Sequence, residues 1–275
     1  MQTKNLTLII LFIIFSLSAH AQLQLTKVIG TYKVLQRGVE VPIWGWDDPG
    51  NEVSVLIGNK RKVTKVAEDG KWTVSLDPME AGGPHKIQIT SGQDQIILNN
   101  VLFGEVWICS GQSNMEWSVR QSMNPKEEAA AGFHPWIRLF NVPGHTVSPL
   151  PKEEGAGQWE VCDPKSVDRF SAVGYYFGRR IHKELQVPIG LVGSNWGGTR
   201  IEPWTTLAGF ESVPELSDIV NKVKNYKQDT KVGGGDPSAI YNSMVNPLTP
   251  LAMRGGIWYQ GESNGNEGVL SLIHI

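Results

Sequence analysis

Three apolar runs in this chain end in the same way. VWICSGQSN (residues 106–114), IGLVGSNWGGT (189–199) and GIWYQGESN (256–264) each pass from β-branched and aromatic residues into Gly joined to Ser, Asn, Gln or Glu. Short continuous apolar runs read as strands buried on both faces, the pattern of a parallel sheet. Taken singly, each polar end reads as a turn. Repeated after three separate strands, it fits an open parallel sheet, whose strands end along one edge and bind ligands in the crevice there.

The intervening segments extend this reading. VDRFSAVGYYFGRRIHKEL spaces Phe170, Val173, Phe177, Ile181 and Leu185 three and four residues apart, which predicts a helix with these five on its apolar face. AIYNSMVNPL reads as helical, with Ile240, Met244 and Leu248 on one side. Apolar strands alternating with amphipathic helices predict an α/β domain over 104–275, a parallel sheet with helices on both faces. Upstream, VEVPIWGW, NEVSVLI, KVTKVA, KWTVSL, HKIQIT and QIIL are separated by clusters of Gly, Asp, Asn and Pro. That alternation predicts a small all-β sandwich over 22–103. Residues 1–21 belong to neither. Lys4, the apolar run 6–17 and the triplet Ala19-His20-Ala21 form a secretory signal peptide cleaved before Gln22, so a secreted or periplasmic protein is expected. No later stretch reaches the ~20 apolar residues of a membrane span.

Composition removes several classes of function. The net charge of −2 comes without a basic run, so no clustered positive face is offered to nucleic acid. Two cysteines, Cys109 and Cys162, cannot make a disulfide scaffold, and Cys109 inside an apolar strand reads as a small buried hydrophobe. No metal-binding or phosphate-loop spacing occurs, and no cofactor is expected. Ten tryptophans are many for this length; each reads as core, though exported proteins also set such rings against sugar faces.

The polar strand ends carry the chemistry. Ser113 falls at a strand-to-helix turn, where its hydroxyl and its own N–H both face the crevice. Glycines 111, 197 and 198 permit tight turns and close approach to a ligand. The N–H of Gly197 or Gly198 and the side-chain amide of Gln260 are neutral donors of the type that surround a developing oxyanion. An exposed serine beside such donors points to acyl transfer.

GEVWICSGQSNMEW, VPIGLVGSNWGGTRIEPW and GIWYQGESN, in that order, resemble the sialate O-acetylesterase family of SGNH-type hydrolases, and VLQRGVEVPIWGWDDPGNEVSV is similar to that family's N-terminal β domain. The resemblance implies a flavodoxin-like sheet and hydrolysis of O-acetyl esters on sugars, with an O-acetylated glycan or sialic acid as partner. It implies Ser113 as nucleophile and an oxyanion hole of the Ser113 N–H, Gly198 and Gln260, supported by Gly197, Asn114 and Glu262. Glu262 is expected to hold its loop and orient Gln260, and Asn114 and Trp117 to support the Ser113 turn.

One element of the family pattern is missing. The family's base comes from an Asp-x-x-His beyond the third strand, and none follows here. The expectation is a C-terminally truncated chain, nearly inactive as it stands, whose closing LSLIHI is not native. Of the histidines, His85 belongs to the β region, His182 to the helix surface and His274 to the tail, while His134 and His145 lie in segments able to border the crevice. An acetyl xylan esterase is the near alternative, because an acetyl group asks only for a small pocket. A glycan-binding protein without turnover is the alternative from another class.

Overall fold

The computed structural model describes residues 22–265, so the signal segment and the tail bearing His274 lie outside the described residues. In chain order the strands are β1 (Gln24–Leu25), β2 (Val34–Gln36), β3 (Val41–Trp46), β4 (Glu52–Ile57), β5 (Lys60–Lys65), β6 (Lys71–Leu76), β7 (Gly82–Ser91), β8 (Asp94–Gly111), β9 (His134–Asn141), β10 (Trp159–Cys162), β11 (Ile189–Asn195) and β12 (Gly255–Tyr259). The helices are α1 (Ser113–Glu116), α2 (Pro125–Ala130), α3 (Pro164–Asp168), α4 (Ala172–Leu185), α5 (Leu207–Glu211) and α6 (Ser217–Lys224).

β1, β3 and β6 form a small antiparallel sheet. Its inward Val41, Ile43, Val74 and Leu76 share one core with Val53, Val55, Ile87 and Ile89 of β4 and β7, the two-layer arrangement expected of the upstream region. The larger sheet runs β10-β9-β11-β8-β7-β4-β5, with β2 and β12 also paired to β8. β8 joins everything. Its first half is antiparallel to β7, and from Glu105 onward it is parallel to β11 and then β12. Burial along it changes accordingly, from alternating near Asp94 to nearly continuous after Val101. A strand solvated on one face becomes one covered on both. At the switch, buried Glu105 accepts from Arg37 Nε at 2.7 Å and Gln36 Nε2 at 3.0 Å, while Gln36 Oε1 accepts the Val106 N–H at 2.9 Å.

α4 forms as expected, capped by Ser171, whose hydroxyl accepts the Gly174 N–H at 3.1 Å. Its buried face is the predicted one only in part, with Phe170 fully buried just before the helix. Ala172, Gly174, Tyr175 and Gly178 face the sheet, whereas Val173 and Leu185 are exposed and Phe177 and Ile181 only partly covered. The glycines decide this. A Cβ at Gly178 would lie 2.6 Å from Leu191 Cδ1, and one at Gly174 would lie 3.0 Å from Cys109 Sγ, so the helix packs by its smallest residues. Cys109 and Cys162 are free and buried, and burial pushes both thiols up to about 12. Residues 239–248 are helical as expected, with a π turn at Tyr241–Val245 and a 3-10 turn at Asn246–Leu248, but they bury Ile240 and Met244 with Trp204 and Leu248 in the separate β-rich core.

A lysine lies in the core where the two sheets adjoin. Lys33 is 1% exposed; its ammonium donates to the Val28 carbonyl at 2.8 Å and sits 5.4 Å from the centre of the Trp159 ring. One carbonyl and one ring face do not replace the hydration of an ammonium, so burial holds this amine well below its ordinary 10.5. Between the lowered folded value and 10.5 the unfolded chain binds a proton that the folded chain does not, and stability therefore rises with pH through that window. Val28 O keeps a second donor, Trp159 Nε1, at 2.8 Å. Lys33→Met should therefore raise stability at pH 7, with an advantage over wild type that shrinks toward pH 10, as read by denaturant unfolding at the two pH values.

Candidate active site

The three polar strand ends meet because their strands are in register. Gly111 at the end of β8 pairs with Asn195 of β11 on one side and Tyr259 of β12 on the other. Its carbonyl accepts the Trp196 N–H at 3.0 Å, and the next N–H, of Gln112, donates to Tyr259 O at 2.9 Å. Gly111 has φ +145°, and a Cβ there would sit 2.1 Å from the Tyr259 carbonyl oxygen. Only glycine fits between the two neighbours.

Ser113 opens α1 one residue past buried Gln112, whose carbonyl accepts the N–H groups of Met115 and Glu116 at 2.9 Å each. The serine is exposed, and its hydroxyl makes no hydrogen bond among the described residues. It borders a crevice of about 670 Å³ shared with Glu116, Trp117, Arg120, Asn141, His145, Arg169 and Asn195. Trp117 is 51% exposed in that wall, with Nε1 donating to Gln121 O at 2.8 Å.

The second loop presents two glycines with different environments. The Gly197 N–H donates to Glu116 Oε2 at 2.6 Å, and a Cβ on Gly197 would approach Ser113 Cα and Cβ to 3.4 Å. Gly198 has φ +75° with open space at its Cβ position, and its N–H has no partner among the described residues. Thr199 is tied down: its hydroxyl donates to Trp196 O at 2.7 Å and accepts from Trp204 Nε1 at 2.9 Å.

The third loop differs from expectation in one contact. Glu262 Oε1 accepts from Asn114 Nδ2, which joins the first and third loops, and no hydrogen bond links Glu262 to Gln260 among the described residues. Gln260 Nε2 instead faces Asn264 Oδ1 at 3.2 Å, Thr199 O at 3.4 Å and Gln112 Oε1 at 3.5 Å, and its Oε1 is buried without a partner. Asn264, fully buried, also accepts the Ile201 N–H at 2.8 Å and donates to Glu202 Oε2 at 3.1 Å. An amide at position 264 holds Gln260 from four residues away without bringing a second negative charge beside it.

His145 reaches the crevice and His134 does not. His145 Nε2 lies 2.6 Å from Glu116 Oε1, and its ring stacks on Trp196 with centres 4.5 Å apart and planes 8° from parallel. A carboxylate partner means that Nε2 carries the proton. His134 begins β9 beside Tyr175, at the opposite end of the strand from Asn141. His182 Nδ1 pairs with Val187 O at 2.7 Å, away from the crevice. Sequence reading missed Glu116, Trp196 and Asn264. Glu116 had a signal, since three residues after Ser113 on a helix is the same side; Asn264 stands four after Gln260, and only the fold brings Trp196 to His145. Among the described residues no three His, Cys, Asp or Glu side chains gather as metal ligands would.

Residues 103–269 match the family model described as carbohydrate esterase, sialic acid-specific acetylesterase. The sialate O-acetylesterase of Homo sapiens is 34% identical over 249 residues, covering 82% of this chain and 45% of the human one. That of Mus musculus is 33% identical over 310 residues, covering 94% and 56%. The crystal structure of a carbohydrate acetylesterase from Xanthomonas citri is similar at TM-score 0.78 and 32% identity, covering 89% of this chain and 52% of that one. The chain spans about half the length of the curated relatives it matches.

Gly111→Ala should cost on the order of 3 kcal/mol, combining backbone strain with overpacking against Tyr259. Equilibrium unfolding of the variant beside wild type measures it.

Proposed function

Because the chain belongs to the carbohydrate esterase family of sialic acid-specific acetylesterases, we propose that it removes O-acetyl groups from sugars by an acyl-enzyme route, with O-acetylated sialic acid as its partner. The observation that carries this reading is the exposed, unengaged Ser113 on one of three loops that leave strands in register, with Gly197 packed against it and the unengaged N–H of Gly198 next in that loop.

In this reading the Ser113 hydroxyl oxygen adds to the acetyl carbonyl carbon and gives its proton to the imidazole of the family's Asp-x-x-His, which passes it to the departing sugar oxygen. The carbonyl oxygen becomes an oxyanion held by the Ser113 and Gly198 N–H groups and by Gln260, whose amide turns from Asn264 and Thr199 to reach it. The sugar leaves as its hydroxyl, and water releases acetate from the serine. Each such donor is worth about 2.7–4 kcal/mol in the transition state. Gly197 is left out of the hole, since its N–H is already given to Glu116. His145, among the described residues the imidazole lining this crevice, points its Nε2 at Glu116 Oε1 and serves as wall. Export to the periplasm or the medium, by a signal peptide over residues 1–21, belongs to the same proposal and is supported by the Lys4, apolar run and Ala-x-Ala order.

Acetate release by the intact protein from O-acetylated sialic acid, with acetylated xylan measured alongside, tests it. Ser113→Ala should lower kcat by about 10³-fold or more while leaving sugar binding in place. Release that is unchanged in the variant, or absent from wild type on both substrates, overturns the reading.

A further inference from the structure

We propose that Glu116 is a positioning residue, whose carboxylate clamps the Gly197 turn to the Ser113 turn so that the Gly198 N–H is the backbone donor presented to the oxyanion. The proposal rests on the acyl-transfer reading above.

The two carboxylate oxygens have separate partners. Oε2 accepts the Gly197 N–H at 2.6 Å, and Oε1 faces His145 Nε2 at 2.6 Å. Both are short, charge-assisted hydrogen bonds, and two of them at right positions fix the carboxyl group against rotation. The approach depends on Gly197 having no side chain, for a Cβ there would lie 2.7 Å from Oε2. With its N–H committed to a full negative charge, Gly197 has nothing left for a second anion. Gly198, next in the chain at φ +75° and without a partner among the described residues, takes that place. The clamp thereby sets which glycine faces the reacting atoms.

The Glu116 carboxylate is shared between two partners, the Gly197 N–H and His145 Nε2, and His145 is held in place by its stack on Trp196 from the same loop as the glycines. Glu116, His145 and Trp196 therefore close a ring of contacts from the first loop, through the segment after β9, to the second loop. Glu116 remains 37% exposed, so solvent screens the pair and its contribution to global stability is small. Its effect lies in geometry.

Glu116→Ala and Glu116→Gln in the intact protein test this, with steady-state hydrolysis of p-nitrophenyl acetate and amide hydrogen exchange at Gly197 as the two readouts. Alanine should lower kcat about 10–100-fold with KM changed less than about threefold, because a misplaced donor is lost mainly from the transition state. Glutamine keeps an oxygen for the Gly197 N–H and can donate to His145 once its proton moves to Nδ1, so kcat should recover to within about fivefold of wild type. Exchange at Gly197 should quicken at least about tenfold in the alanine variant and stay slow in the glutamine one. Unchanged Gly197 protection in the alanine variant overturns the clamp whatever happens to kcat. Lost protection with kcat unchanged, or with only KM raised, overturns its positioning role. If wild type has no Ser113-dependent turnover, the esterase reading falls, and the exchange rates alone decide the clamp.

Discussion

Gly111 is paired with a strand on each side at once, and the arrangement of the site follows from that residue. β8 can carry β11 and β12 to the same level only if both neighbours approach its last residue closely. A side chain at 111 would enter the Tyr259 carbonyl, and an L residue would resist φ +145°. Because the three strands end together, three loops that are distant in the chain open on one crevice. The parallel register thus acts as a ruler for the chemistry.

The same strand links the two halves of the molecule. Its first ten residues pair antiparallel with β7, its last seven pair parallel with β11 and the final five of these also with β12, without a break at residue 103. Glu105, Arg37 and Gln36 satisfy the polar groups where the pairing changes partner. Polar ties on the crevice side complete the frame: Asn114 to Glu262 joins loops one and three, and Glu116 to Gly197 joins loops one and two.

Much of this architecture was legible in the residues. The change from alternating to continuous apolar runs separated the two kinds of sheet, and the Gly-rich polar ends marked where the strands would stop. The buried thiol of Cys109 also followed from its apolar neighbours. The face of α4 followed only in part. Apolar spacing selected Val173 and Leu185 along with buried Phe170, yet the helix turns Gly174 and Gly178 inward, where a Cβ would crowd Cys109 and Leu191. Glu262 holds its loop through Asn114, a tie that the family resemblance did not specify, and no hydrogen bond joins it to Gln260 among the described residues.

By itself the sequence determined the kinds of strand, the glycines at their ends, and a serine placed where a helix begins. Those are local properties, set by side-chain period and by which residues tolerate a tight turn. Only the tertiary structure decided that Glu116 meets His145, 29 residues on, and Gly197, 81 residues on. Contacts of that separation are set by sheet register and by the direction in which each loop leaves its strand. Neither quantity is written in the neighbouring residues, so the choice of which glycine N–H stays open belongs to the fold.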